Sequence, residues 1–163
     1  MSRRSFLKGK YDVVNFDKYS GDLSDVTYRS SWELFFMSWL DMNPMVVKWS
    51  SETVVVKYYS KLEDKHRRYF IDFEVVYRDG TKVWYEVKPV KQTRPPKFPS
   101  NKTTKSINRF NNERLMFNIN LDKWENATNT AKKNGIKFRI ITEVDLQRIG
   151  MDEGFTKRAR MNR

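Results

Sequence analysis

No cysteine occurs in the 163-residue chain. Disulfides, thiolate nucleophiles and cysteine-based zinc centres are therefore excluded. Histidine occurs once, as His66, which removes any site that needs two imidazoles. A Ser-His-Asp relay through it would need an acidic orienter, and Lys65-His66-Arg67-Arg68 offers only cations. His66 is read as a surface residue. No run approaches the ~18 apolar residues of a membrane span. The basic N-terminal stretch lacks the apolar core of a signal peptide, so a cytoplasmic location is expected. Internal repeats are absent. Acid is the minority charge, 20 Asp and Glu against 32 Lys and Arg, for a net charge of +12. That field suits a polyanion, and the phosphate backbone of nucleic acid fits better than a membrane surface. With 39% apolar and 15% aromatic residues, one folded domain with a real core is expected.

The pattern along the chain is α/β. Residues 1–28 show no sustained period and read as an arm over the domain. A helix begins at Ser30-Ser31-Trp32-Glu33. Its buried face is Trp32, Phe35, Phe36, Trp39 and Leu40, and Asn43-Pro44 ends it. Strands are expected at Met45 to Trp49, Thr53 to Tyr59, Arg68 to Tyr77 and Lys82 to Val87. Lys91 to Lys105 is a basic, proline-bearing loop. Ile107 to Lys133 reads as helix, with Asn118 to Asn120 a candidate break, and Asn134-Gly135 caps it. A strand at Lys137 to Ile141 and a short helix from Thr142 to Arg148 follow. The division expected is an arm (1–28), a catalytic domain (29–150) and a basic, mobile tail (151–163).

With cysteine and paired histidines gone, any catalysis must rest on carboxylates, lysines, hydroxyls and bound metal. Two or three carboxylates can hold Mg²⁺ or Mn²⁺ and leave positions for water and substrate. A lysine beside them can orient that water and stabilise developing charge. Glu86 and Lys88 share one face of their strand, because side chains alternate. Asp72 joins that face only if the turn has the right length. A two-residue loop at Asp79-Gly80 would put Asp72 opposite Val87, on the wrong face. A three-residue loop, Arg78-Asp79-Gly80 with Gly80 left-handed, would put it opposite Glu86. Spacing alone does not decide for a site, since Glu63-Asp64-Lys65 repeats the Glu-x-Lys pattern in a polar turn. Ile71, Phe73, Val83, Tyr85 and Val87 suggest interior strands, where charge is costly unless paired or metal-bound. Glu74, on the face of Asp72, is read as a structural partner for a nearby basic residue. Glu33 has two readings, a capping-box residue in Ser30-x-x-Glu33 and a fourth member of the site.

Asp72, then Glu86-Val87-Lys88 on the next strand, behind a helix carrying Glu33, resemble the PD-(D/E)xK nuclease superfamily. The longer strings are Arg29-Ser30-Ser31-Trp32-Glu33, Leu40 to Pro44, Val47 to Glu52, Arg68 to Phe73 and Tyr85 to Pro89. With Lys123-Trp124 and Ile141 to Leu146 they resemble the head completion nucleases of large tailed phages and, more distantly, TnsA-type transposition endonucleases. The likeness covers residues 28 to 148. It implies a restriction-endonuclease-like fold, a mixed central β-sheet flanked by helices. It further implies Asp72 and Glu86 as metal ligands, the Val87 carbonyl as a further ligand, Lys88 as the catalytic lysine and Glu33 as the helix acid. The superfamily's proline before the aspartate is Ile71 here, which removes one confirming letter.

The function expected is metal-dependent cutting of double-stranded DNA. The resemblance adds the setting: packaged DNA in the host cytoplasm, with head, portal or neck proteins as partners and association with the virion head. Lys91, Arg94, Lys97, Lys102 and Lys105 emerge beside Lys88, where a DNA backbone would pass. Two rivals share these features. One is a non-catalytic DNA-binding or head-assembly protein on the same fold, and the other a junction or transposon-end endonuclease.

Overall fold

A computed structural model describes residues 7–161. In chain order its elements are β1 (Gly9–Lys10), β2 (Thr27–Tyr28), α1 (Ser31–Met42), β3 (Val46–Ser51), β4 (Val55–Ser60), β5 (Lys65–Phe70), β6 (Phe73–Tyr77), β7 (Lys82–Val87), α2 (Thr104–Lys133), β8 (Lys137–Ile141), α3 (Glu143–Arg148) and α4 (Phe155–Met161). The central sheet has the order β3-β6-β7-β8, antiparallel except for the parallel pair β7 and β8. Helix α2 is the crossover that the parallel pair requires. Hairpin β4-β5 stands as its own two-stranded sheet, as does β1-β2.

Each face of the central sheet has its own core. On one, α1 lays Phe36, Met37 and Leu40 against Trp49, Phe73, Val75 and Val87. The other is closed by the second half of α2, whose Trp124, Ala127 and Ala131 meet Trp84 together with Val56, Tyr58, Tyr69 and Ile71. The two alanines allow the helix to approach closely. The hairpin supplies this second core through strict alternation, Val56, Tyr58 and Ser60 inward and Val55, Lys57 and Tyr59 outward. This mixed sheet with helices on both faces is the restriction-endonuclease-like architecture expected from the sequence.

Several local expectations are corrected. Arg68 to Tyr77 is not one strand: β5 and β6 belong to different sheets, and the chain passes between them at Ile71-Asp72. Helix α2 starts at Thr104 and runs unbroken past Asn118 to Asn120. Asn120 is buried, so tertiary packing overrides its weak helix preference. Lys105 therefore sits on a helix and not in the loop. The N-terminal segment is more than an arm, since Leu7, Val13, Tyr19 and Val26 are buried. Asp41, also buried, holds that segment by accepting from the Tyr11 hydroxyl and from the amides of Val14 and Asn15. The expected mobile tail contains α4, with Phe155 edge-on to Phe35 at 5.3 Å and Thr156 hydrogen-bonded to Ser31.

Candidate functional site

The turn between β6 and β7 decides whether a site can form, and it is the three-residue form. The Tyr77 amide donates to the Thr81 carbonyl at 2.8 Å, the Gly80 amide to the Tyr77 carbonyl at 2.9 Å, and Gly80 has φ +84°. The ladder then pairs Phe73 with Tyr85 and Glu74 with Trp84. One residue further along, the same register sets Asp72 opposite Glu86. Glu86, Lys88, Trp84 and Glu74 share the face covered by α2, and Val83, Tyr85 and Val87 take the other.

Asp72, Glu86, Val87 and Lys88 meet directly. Asp72 Oδ2 accepts from the Val87 amide at 2.9 Å. Glu86, only 4% exposed, has both oxygens engaged. Its Oε2 accepts from the Tyr69 hydroxyl at 2.5 Å, and its Oε1 lies 3.2 Å from Lys88 Nζ. Two carboxylates thus face each other in a poorly solvated place, with the Lys88 ammonium paired to Glu86. Burial, and then the Glu86 charge, hold the Asp72 carboxyl well above the usual carboxylate range. The Val87 amide and Lys88 pull the other way. Burial and the Glu86 carboxylate likewise push the Tyr69 hydroxyl up, so it serves as a donor and not as a base.

Glu33 combines both of its sequence readings. Its amide donates to Ser30 Oγ at 3.1 Å, and its Oε2 accepts from the Arg29 amide at 2.8 Å. It therefore ties the start of α1, one residue further back than a capping box would. Its charge also reaches Asp72 and raises that group's proton affinity. Burial in turn raises Glu33's own pKa, offset by the Arg29 amide and reinforced by Glu52.

Two neighbours of the site were not singled out from sequence. Tyr69 arrives because β5 alternates it inward, next to Glu86; its place in an apparently continuous strand concealed this. Glu52 pairs with the Arg29 guanidinium, and its amide donates to the Asp72 carbonyl at 3.0 Å. It does so at φ 56°, a left-handed conformation costing about 1–2 kcal/mol for a residue with a Cβ. In the sequence Glu52 stood only within the Val47 to Glu52 string of the resemblance, with no role at the site assigned to it. Glu74 behaves as expected of a structural residue, accepting from Trp84 Nε1 at 2.7 Å with Lys82 Nζ 3.9 Å away. His66 is exposed, edge-on to Tyr59 at 5.1 Å. Glu63, from the second Glu-x-Lys copy, accepts from Arg67 Nε at 2.8 Å in the β4-β5 turn.

The expected DNA-binding cations do not enter this cluster. Lys91 lies on a 3-10 turn (Val90–Thr93), which the Val90 amide anchors to Glu143 at 2.8 Å. Arg94, Lys97 and Lys102 follow on the segment 94–103, and Lys105 is in the first turn of α2. All five are exposed. They leave the sheet at the edge where β7 delivers Lys88.

Among the described residues, no three His, Asp or Glu side chains group closely enough to hold a metal by themselves. Asp72 and Glu86 offer a two-carboxylate set. That suits a small divalent cation, which draws the rest of its shell from a carbonyl, water and substrate. An extra cation would also relieve the Glu86 repulsion that, after burial, pushes the Asp72 carboxyl up.

Two comparisons with known proteins bear on this geometry. The family described as "TnsA-like endonuclease N terminal" matches residues 43–143, which contain Glu52, Asp72, Glu86 and Lys88. The head completion nuclease of Enterobacteria phage T4 is 46% identical over 142 residues, 87% of this chain and 95% of that protein.

Proposed function

The chain belongs to the TnsA-like endonuclease family, and on that premise we propose a nuclease that cuts double-stranded DNA in phage head completion, using a divalent cation held by Asp72 and Glu86. The relative carrying the head completion name matches nearly end to end, which supports carrying that role over. The setting is the infected host's cytoplasm, and the protein partners are components of the head, portal or neck.

The observation that supports the centre most is the meeting of a carboxylate pair and a lysine on one sheet face, with Glu86 buried. Bound Mg²⁺ or Mn²⁺ would supply charge neutralisation at the phosphate and a water of lowered pKa. Asp72 and Glu86 hold the cation, with the Val87 carbonyl as a further donor. Tyr69 and Lys88 fix the two oxygens of Glu86, so its carboxylate is oriented in advance of substrate. Lys88 positions the attacking water and stabilises charge on the scissile phosphate. Glu33, tied at one oxygen to the Arg29 amide, completes the acidic wall. The exposed cations at 91, 94, 97, 102 and 105 hold the DNA backbone.

Supercoiled plasmid incubated with Mg²⁺ or Mn²⁺ tests the reading, with Glu86→Ala and a chelator as controls. Nicked or linear product is expected from the unsubstituted protein and from neither control. Lys88→Ala is expected to lower turnover by 100-fold or more while leaving DNA affinity within about 3-fold. Cleavage by Glu86→Ala at the unsubstituted rate would remove the site assignment. DNA binding without cleavage under any metal would leave a DNA-binding module on a nuclease fold.

A further inference from the structure

We propose that the first half of α2, residues 104–119, is an arm that lies along the duplex beyond the cleavage site and sets a minimum length for the DNA substrate. The proposal rests on the nuclease reading above. As the crossover between parallel strands, α2 runs opposite to β7 and β8. Its N-terminus therefore stands at their C-terminal edge, where Lys88 follows β7. The buried stripe of the helix begins only at Asn120 and continues through Trp124, Ala127 and Ala131. Residues 120–133 are about 21 Å long, enough to cross five-residue β8 at roughly 17 Å. The preceding residues 104–119, about 24 Å more, overhang the edge that carries Asp72, Glu86 and Lys88.

The chemistry of this overhang selects its occupant. Residues 91–118 contain seven Lys or Arg and a single acid, Glu113, which already accepts from Arg109 Nε at 3.0 Å. Arg109, Arg114, Asn108, Asn111 and Asn112 are exposed. Phe98 of the loop packs edge-on to Phe110 at 5.1 Å, and the Arg114 guanidinium stands 6.0 Å from the Phe110 ring. Loop and helix thus form one basic surface. An α-helix fits the DNA major groove, where Arg and Asn make paired contacts to guanine and adenine edges. Leu115 and Met116 are also half-exposed, but the charge decides for DNA: only a strongly acidic protein would match this surface, whereas a duplex is anionic along its whole length.

The double variant Arg109→Ala/Arg114→Ala tests the arm, since alanine retains the helix. Binding is measured in chelator with labelled duplexes of 10 and 30 base pairs over a salt series. The unsubstituted protein is expected to bind the longer duplex at least 10-fold more tightly. The variant should lose most of that advantage, and its log-log salt slope should fall by about 2. Equal affinities and slopes for both proteins on 30 base pairs would overturn the proposal. Leu115→Asp/Met116→Asp altering the sedimenting mass with DNA affinity unchanged would also overturn it, by assigning the face to a second copy of the chain. Hydrolysis of bis-p-nitrophenyl phosphate by the unsubstituted protein tests the nuclease reading by itself. If that fails while length-dependent binding through Arg109 and Arg114 persists, the arm stands and the enzyme reading falls.

Discussion

Asp72 enters the fold against its own charge. Burial and the facing Glu86 carboxylate raise its pKa well above the ordinary 3.8, and burial does the same to Glu33. An acid with a raised folded-state pKa keeps a proton that the unfolded chain releases. Its contribution therefore becomes unfavourable as pH climbs past the unfolded value, and worsens until pH passes the folded one. In chelator the protein should accordingly melt at a higher temperature near pH 5 than near pH 8. Asp72→Asn, which can still accept from the Val87 amide, should raise the pH 8 melting temperature by a few degrees, on the order of 1 kcal/mol. Thermal melts of both proteins in chelator at the two pH values check this. A variant that melts lower at pH 8 would show that the carboxylate bond to Val87 outweighs the repulsion. The facing pair was legible in the sequence only as one of two outcomes, because alternation fixes the faces but the loop length that sets Asp72 against Glu86 comes from the structure. Tyr69 and Glu52 were not, because their positions depend on which sheet a strand joins and on a left-handed backbone step.

At the scale of elements, the β6-β7 turn does more than reverse the chain. A loop one residue shorter would slip the ladder and send Asp72 to the opposite face from Glu86. Gly80 makes the longer loop inexpensive, with φ +84° and no atom near the space a Cβ would fill. Gly80→Ala should therefore cost about 1 kcal/mol from backbone strain alone, with cleavage per folded molecule retained. Urea denaturation paired with the plasmid assay checks both parts. A large loss of cleavage in folded protein would mean that the register had shifted. The helix of Trp32, Phe35, Phe36, Trp39 and Leu40 was readable from period alone. The division between β5 and β6 was hidden because Asp72 and Glu74 alternate with strand-forming Ile71, Phe73 and Val75, as the polar face of one continuous strand would. Only the separate packing of the β4-β5 hairpin against α2 reveals the break. The continuity of α2 was hidden for the converse reason: Asn118 to Asn120 favour a stop locally, and burial of Asn120 overrules them.

For the whole molecule, composition predicted an anionic partner, and the topology gives that prediction a direction. The cations of residues 91–118 all leave the sheet at the edge bearing the carboxylate pair. With six or more phosphate contacts, DNA affinity in chelator should fall by about 10³-fold or more between 50 and 200 mM salt. Fluorescence titrations at constant pH measure this, and a nearly flat response would remove the extended phosphate track. Among the described residues no helix is long and apolar enough to cross a membrane. The terminal segments were the least legible parts, because neither shows a clean period; their order comes from tertiary contacts, Asp41 with buried Leu7, Val13, Tyr19 and Val26 for one and the Phe35-Phe155 and Ser31-Thr156 contacts for the other. Those last contacts also bear on how the protein is best handled. Helix α4 clasps α1 through Ser31 and Phe35, the positions on either side of Glu33 along the helix. A fusion partner or trimmed C-terminus that pries α4 loose would strip one side of the helix that presents Glu33.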